Sequence, residues 1–227
     1  MALALIIFDC DGVLVDSEPL AMRVLLGAIR AQGIAMDEVD AFRTFLGRSL
    51  ASISQSLQES HGMPLGDAAL ISMRRDLYAL YRKELRATAG LLETLPLLAT
   101  PICVASSSHL ERIRLSLELT GLLPFFEPHI FSASMVSKGK PAPDLFLHAA
   151  RVMHAAPCDC LVIEDSPAGI VAARSAGMVV FAYAGGSHIA PSGLRPAIDA
   201  LGADAVFEDM LDLPDMVAAL DAEKKAS

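Results

Sequence analysis

The sequence predicts an α/β protein: a Rossmann-like parallel sheet core with an inserted α-helical cap domain. Three observations predict it. Short apolar runs rich in β-branched residues recur at Leu3–Phe8, Ile102–Ala105, His129–Phe131, Leu161–Ile163 and Val179–Tyr183. Helix-patterned segments separate the later runs, which is the spacing of βαβ units whose strands are buried on both faces. Between the first run and the second, from Asp16 to about Arg86, apolar residues recur at helical spacing with no strand pattern.

In chain order, the first strand runs through "ALIIF" into "DCDG". Ser17 is placed to cap "EPLAMRVLLGAIRAQ", with Pro19 in the first turn and Gly33 as the stop. "SLASISQSLQESHG" and "DAALISMRRDLYALYRKELRA" continue as helices. The alternating pattern resumes near Gly90 with helices over "HLERIRLSLELTGL", "PDLFLHAARVMH" and "PAGIVAARSAG". Residues 1–15 and 87–227 therefore form the expected core and residues 16–86 the expected cap domain. The hinges are expected at Leu14–Ser17 and Ala87–Gly90. The final "DAEKKAS" is expected to fray.

Composition narrows the function. Apolar residues make up 53% of the 227 and mean hydropathy is +0.47, enough for a sizeable core. No run reaches the ~20 apolar residues of a membrane helix. The first residues carry no basic leader, so they read as a strand and not as a signal peptide. These features together point to a cytoplasmic protein with no membrane partner. The net charge of −9 with no tryptophan argues against nucleic acid as a partner, and an anionic substrate would need a local cation. Cys10 and Cys103 sit in apolar runs, and Cys158 and Cys160 lack the second pair of a zinc site. Reduced thiols are the expectation. The six histidines show no metal-ligand spacing and are expected on the surface or in packing. A monomer or weak homo-oligomer is expected.

Four motifs fall at expected carboxyl ends of strands, where parallel sheets bind ligands. In "FDCDG", period-two alternation puts Asp9 and Asp11 on one side and Cys10 on the other. Two carboxylates ending a buried strand need compensation, because desolvating a charge costs on the order of several kcal/mol. In "ICVASSSHLERI", Ser108 and Glu111 have capping-box spacing. Ser106 is not needed for that cap. It stands, with Ser107, where hydroxyls and helix-start amides cradle phosphate. In "KGKPAPDLF", Lys140 precedes a helix start that repels cations, which suggests an anion beside it, whereas Lys138 reads as a solvated lysine. In "LVIEDSPAGI", Glu164 and Asp165 follow a buried strand, and a cap explains only one polar residue there. A hard divalent cation such as Mg²⁺ would explain adjacent acids. Taken alone, each motif also has a plain turn or capping explanation. Together they supply four carboxylates, a lysine and a hydroxyl on one sheet edge.

The ordered set "FDCDGVLVDS", "VASSS", "KPAPD" and "VIEDSPAGI" resembles the haloacid dehalogenase-like superfamily of phosphotransferases, across the whole chain. The helical block resembles the small cap of its beta-phosphoglucomutase-like branch. The resemblance implies that Asp9 is the nucleophile forming an aspartyl-phosphate. It implies that Asp11 is general acid and then base, with its main-chain carbonyl on the metal. It implies that Ser106 and Lys140 hold the phosphoryl oxygens, and that Asp9, Asp165 and Glu164 hold Mg²⁺. Asp9 on the metal would stay ionised while Asp11 holds a proton. Ser107 and Ser17 are further substrate-binding candidates, as is Arg48 in "FLGRSL", which also reads as an exposed helix-flanking residue.

Alternatives differ at identifiable residues. A dehalogenase of this fold would lack Asp11 and the Glu164–Asp165 pair. A sugar-phosphate mutase would carry a histidine where Ala21 stands, together with a cap lysine. A phosphonate-cleaving relative would also need such a lysine, and the only one here is Lys83 near the exit hinge. A phospho-accepting signalling domain would be shorter and would place its lysine after its acidic pair. A glycosidase would not need Lys140. The expectation is a phosphatase acting on a small phosphorylated metabolite, similar to bacterial sugar-phosphate phosphatases, including those for 6-phosphogluconate.

Overall fold

The computed structural model describes residues 2–45 and 50–226. Six parallel strands, β1 (Leu5–Phe8), β2 (Ile102–Ser106), β3 (Ile130–Ser132), β4 (Cys160–Glu164), β5 (Val179–Tyr183) and β6 (Ala205–Phe207), form one sheet in the order β3-β2-β1-β4-β5-β6. The α/β class is as the sequence predicts. The sixth strand, Ala205–Phe207, was not among the expected runs.

After β1 the chain forms α1 (Glu18–Ala31), α2 (Glu38–Phe45), α3 (Leu50–His61) and α4 (Asp67–Glu84). The short α5 (Leu91–Thr94) follows them. Next come α6 (Leu110–Leu119), α7 (Leu123–Phe126), α8 (Asp144–Val152), α9 (Pro167–Ser175), α10 (Ile189–Ser192), α11 (Arg195–Ala200) and α12 (Leu213–Ala226). The sequence pattern missed α2. Its segment is short and carries two acids in its first turn, and it folds because Ala41 and Phe45 bury against the other insert helices.

Strand alternation separates two cores. Ile6, Phe8 and Cys10 face a cluster that includes Phe126, Leu161, Ile163 and Phe181, with Phe8 and Phe126 edge-to-face at 5.9 Å between centroids. Leu5 and Ile7 face the other side with Cys103, Ala105, Val162, and Leu145 and Phe146 of α8. Burying each large apolar side chain stabilises the fold by about 1.5–3 kcal/mol. Asp9 continues the parity of Leu5 and Ile7, and Glu164 that of Val162. Both acids are thus carried towards the face that α8 covers, and Lys140 lies just before α8. The helical insert has a third core of its own, built from Met22, Leu25, Leu26 and Ile29 with Ile53, Leu57 and Met73.

The chain enters and leaves the insert side by side. Asp16 N donates to Arg86 O at 3.1 Å and Thr88 N to Leu14 O at 3.0 Å, with Val15 bridged to Ala87. No helix among the described residues is long and apolar enough to cross a membrane.

Candidate active site

Strand order reverses beside β1 and β4, and the crevice there is the binding position of open α/β sheets. Asp9 N donates to Ile163 O at 3.0 Å, so the end of β1 is pinned beside β4. Lys140 is the centre of the cluster. Its Nζ donates to Asp9 Oδ1 at 2.5 Å, to Glu164 Oε1 at 2.6 Å and to Ala105 O at 3.0 Å. The side chain is 3% exposed, and all three ammonium donors are used. The anions suggested by the position of this lysine are therefore carboxylates at the ends of β1 and β4.

Glu164 Oε2 accepts from the amides of Asp165 and Ser166, each at 2.9 Å, and from Ser166 Oγ at 3.0 Å. Ser166 Oγ in turn caps α9 by accepting from Gly169 N at 3.0 Å. A side chain at position 169 would overlap the Glu164 carboxylate, which is why glycine stands there. Asp165 lies one residue beyond and is buried.

Asp11 is gripped differently. Its Oδ1 accepts from Ser17 Oγ at 2.6 Å and Arg112 Nη2 at 2.8 Å, and its Oδ2 from Ser108 Oγ at 2.6 Å. This corrects two readings of the sequence. Ser17 occupies the N-cap position of α1, but its hydroxyl makes no capping bond and serves Asp11. Ser108 does not form a capping box: His109 is the N-cap of α6, and Glu111 pairs with Arg74 of α4. Charge decides both cases, because a hydrogen bond to a carboxylate outweighs one to a backbone amide. Ser106 is buried at the end of β2, and its Oγ accepts from Ser108 N at 3.1 Å. Ser107 is exposed beside it. Arg48 lies outside the described residues.

Electrostatics separates the two aspartates. Burial pushes the Asp9 carboxyl well above its ordinary value; Lys140 opposes this, while Glu164 and Asp165 add to it. Asp165 moves the same way, through burial and the Glu164 charge. Burial also acts upwards on Asp11, but Arg112 and the Ser108 and Ser17 hydrogen bonds outweigh it, so Asp11 titrates below the usual range. The resemblance implied an ionised Asp9 and a protonatable Asp11; the protein side chains alone hold them in the opposite order. Lys140 feels burial downwards, but Asp9 and Glu164 carry it above its ordinary value.

These charges bear on a metal. Among the described residues Asp9, Asp11 and Glu164 pair with Lys140 and Arg112 and Asp165 meets the His188 imidazole, so acidic groups outnumber lysine and arginine at the site. A hard divalent cation with oxygen ligands would balance that excess, and Mg²⁺ takes only one or two carboxylates from a protein. Among the described residues, no three His, Cys, Asp or Glu side chains form a ready-made metal cage. The donor set fits a cation that completes its shell with water and substrate oxygens.

One histidine departs from expectation. His188 is 2% exposed, and its Nε2 lies 2.9 Å from Asp165 Oδ2. It is neither a surface residue nor simple packing. Arg112 was also missed, since in "HLERIRLSLEL" it reads as one more polar helix residue.

A family model for haloacid dehalogenase-like hydrolases matches residues 3–177. The chain belongs to that family. It is 31% identical to a 6-phosphogluconate phosphatase of Escherichia coli K12, over 82% of this chain and 85% of that one. It is 30% identical to hexitol phosphatase A of the same organism, over 78% and 81%. Among solved structures, a haloacid dehalogenase-like protein of unknown function from Agrobacterium tumefaciens superposes with a TM-score of 0.84 at 34% identity, covering 96% of this chain and 99% of that one. This haloacid dehalogenase-like hydrolase is thus an enzyme whose described site is rich in carboxylates.

Proposed function

We propose that the protein is a Mg²⁺-dependent phosphatase that hydrolyses a small phosphate monoester, a sugar or sugar-acid phosphate, through a phosphoryl group carried on Asp9. The observation that carries this reading is Lys140 bridging Asp9 and Glu164 beside Asp165 at the sheet switch point. The names of the two phosphatase relatives support the sugar-phosphate class.

An Asp9 oxygen attacks phosphorus, and the bond from phosphorus to the ester oxygen breaks. Asp11 gives the leaving oxygen its proton. Water then attacks the aspartyl-phosphate, Asp11 takes the proton from that water, and inorganic phosphate and free Asp9 result. The donors around Asp11 favour its base form, so the first step requires it to take up a proton as the ester arrives. A carboxylate meeting a phosphate dianion is repelled by about 4 kcal/mol per charge pair at 4 Å and an effective dielectric near 20. Lys140 offsets part of this, with Ser106 beside it at the end of β2. Bound Mg²⁺ supplies the remaining positive charge. Asp9, Asp165 and the main-chain carbonyl of Asp11 would hold it. Glu164 has both oxygens engaged, which favours a role in holding Lys140 over direct ligation. We further propose that residues 16–86 form a cap domain that moves at the paired strands around Val15 and Ala87 and shields the site from water.

The test is phosphate release from a panel of phosphorylated sugars, sugar acids and nucleotides, with Mg²⁺ or with chelator. Release that needs Mg²⁺ and is lost in Asp9→Asn supports the proposal. Undiminished turnover by Asp9→Asn overturns Asp9 as nucleophile. Conversion of beta-glucose 1-phosphate to glucose 6-phosphate would replace hydrolysis by the mutase reaction.

A further inference from the structure

The loop after β5, "AGGSHIAPS", was not singled out by any motif, yet it closes one side of the carboxylate cluster. The His188 ring fits a slot between two glycines. A Cβ at Gly186 would lie 2.5 Å from His188 Cε1 and 2.8 Å from its Nδ1. A Cβ at Gly12 would lie 2.9 Å from His188 Cε1 and would overlap Asp165 Oδ2. The ring is buried, and among the described residues its Nδ1 has no hydrogen-bond partner and its one polar contact is Nε2 to Asp165 Oδ2, at 2.9 Å. The loop itself is fastened from outside: Ser187 Oγ donates to Asp16 Oδ1 at 2.6 Å, where the chain enters the helical insert.

A buried imidazole with a single polar contact is there for that contact. The shared hydrogen sits on Nε2, since the carboxylate can only accept. Donation to one Asp165 oxygen fixes the carboxylate plane and leaves the other oxygen for the site. Groups behind a metal-binding side chain typically contribute 10–100-fold to metal affinity.

We propose that His188 is a positioning residue for Asp165: it holds that carboxylate in the orientation a divalent cation requires, without itself touching cation or substrate. The inference rests on the metal reading of the proposed function.

The experiment is calorimetric titration of Mg²⁺ into the full-length protein, with thermal unfolding of the metal-free variants alongside. His188→Leu keeps the bulk and removes the donor, and His188→Gln keeps a donor near the Nε2 position. Gly186→Ala displaces the ring without changing any polar group. The expected result is a 10–100-fold loss of Mg²⁺ affinity in His188→Leu and Gly186→Ala, with His188→Gln recovering most of it. A purely structural role would give losses that follow the unfolding temperature, with no rescue by glutamine, and would overturn the proposal. Wild-type Mg²⁺ affinity in a folded His188→Leu would overturn it as well. If the wild-type protein bound no Mg²⁺, the metal reading would fall, and this inference with it.

Discussion

Arg112 donates to Asp11 Oδ1 at 2.8 Å, across 101 residues of chain. Its guanidinium also lies 5.8 Å from the centre of the Tyr81 ring on α4. The pair therefore sits on the seam between the sheet edge and the helical insert. Asp11 and Arg112 are 13% and 25% exposed at their side chains, so solvent screens the interaction only in part.

Replacing Arg112 by Met should destabilise the metal-free protein by about 2 kcal/mol at pH 7, because Asp11 would keep two hydroxyl donors but lose its counter-charge. The sign with pH follows from the depressed Asp11 value. The pair's stabilisation is present above the ordinary carboxylate value of 3.8 and is lost as pH falls through the folded value. The wild-type and Arg112→Met curves should therefore converge in acid. Denaturant unfolding across pH measures this, and Asp11→Asn combined with Arg112→Met should restore most of the loss.

A second pH effect has the opposite sign. Glu18, half-buried at the start of α1, is pushed up to about 7 by burial and by the Asp11 and Asp165 charges, against Arg112 and His188. The folded protein thus binds a proton that the unfolded chain has released above about 4.5. Stability from this group is complete below 4.5 and is lost as pH rises through 7. Glu18→Gln should flatten the metal-free stability profile between pH 5 and pH 7, approximately the window set by those two values. An unchanged slope in thermal unfolding would refute the assignment.

How far these groups could be read from the chain depended on whether a local pattern betrayed them. Asp9, Glu164 and Asp165 were legible because charge directly after a buried strand breaks the apolar rule, and strand alternation says which side it faces. Lys140 was legible from its place before a helix start, although its anions turned out to be protein carboxylates. Arg112 was not legible: a helix pattern shows which face is apolar, but its nearness to Asp11 depends on β1 lying beside β2. His188 sits in a segment that reads as a turn. The signal available was Gly185–Gly186, one residue past the end of a strand, where adjacent glycines mark a close approach of chain segments. The resulting expectations for Ser17 and Ser108 were local caps, and the Asp11 carboxylate, six residues from Ser17 and 97 from Ser108, outcompeted both.

Lys140→Met should be among the most damaging single changes. It leaves Asp9 and Glu164 facing one another without an ammonium between them. Removing one partner of a buried ion pair costs about 3–5 kcal/mol. Loss of a positioned cation lowers turnover by on the order of 100-fold or more. Lys140→Arg should not rescue activity, since a planar fork cannot reproduce three bonds from one nitrogen to Asp9, Glu164 and Ala105 O. Steady-state kinetics with urea unfolding separates the two effects. Substantial activity in the arginine variant would show that charge alone suffices.

Gly12→Ala and Gly177→Ala form a matched test of whether the site or the backbone requires glycine. Gly12 has φ +84° and Gly177 φ +72°, so an alanine at either pays the left-handed penalty of about 1–2 kcal/mol. Only the surroundings differ. Nothing lies within 4 Å of a Cβ at Gly177, whereas one at Gly12 overlaps Asp165 Oδ2 and crowds His188. In the absence of metal Gly12→Ala should lose more melting temperature than Gly177→Ala, by the about 1–3 kcal/mol that overpacking a filled site costs. Gly177→Ala should turn over substrate as the wild type does. Gly12→Ala should lose about 100-fold in kcat/KM, the cost of moving a site group by about 1 Å. Equal activities in the two variants would show that Asp165 can be displaced without consequence, and the assignment of that carboxylate to the reacting centre would fail.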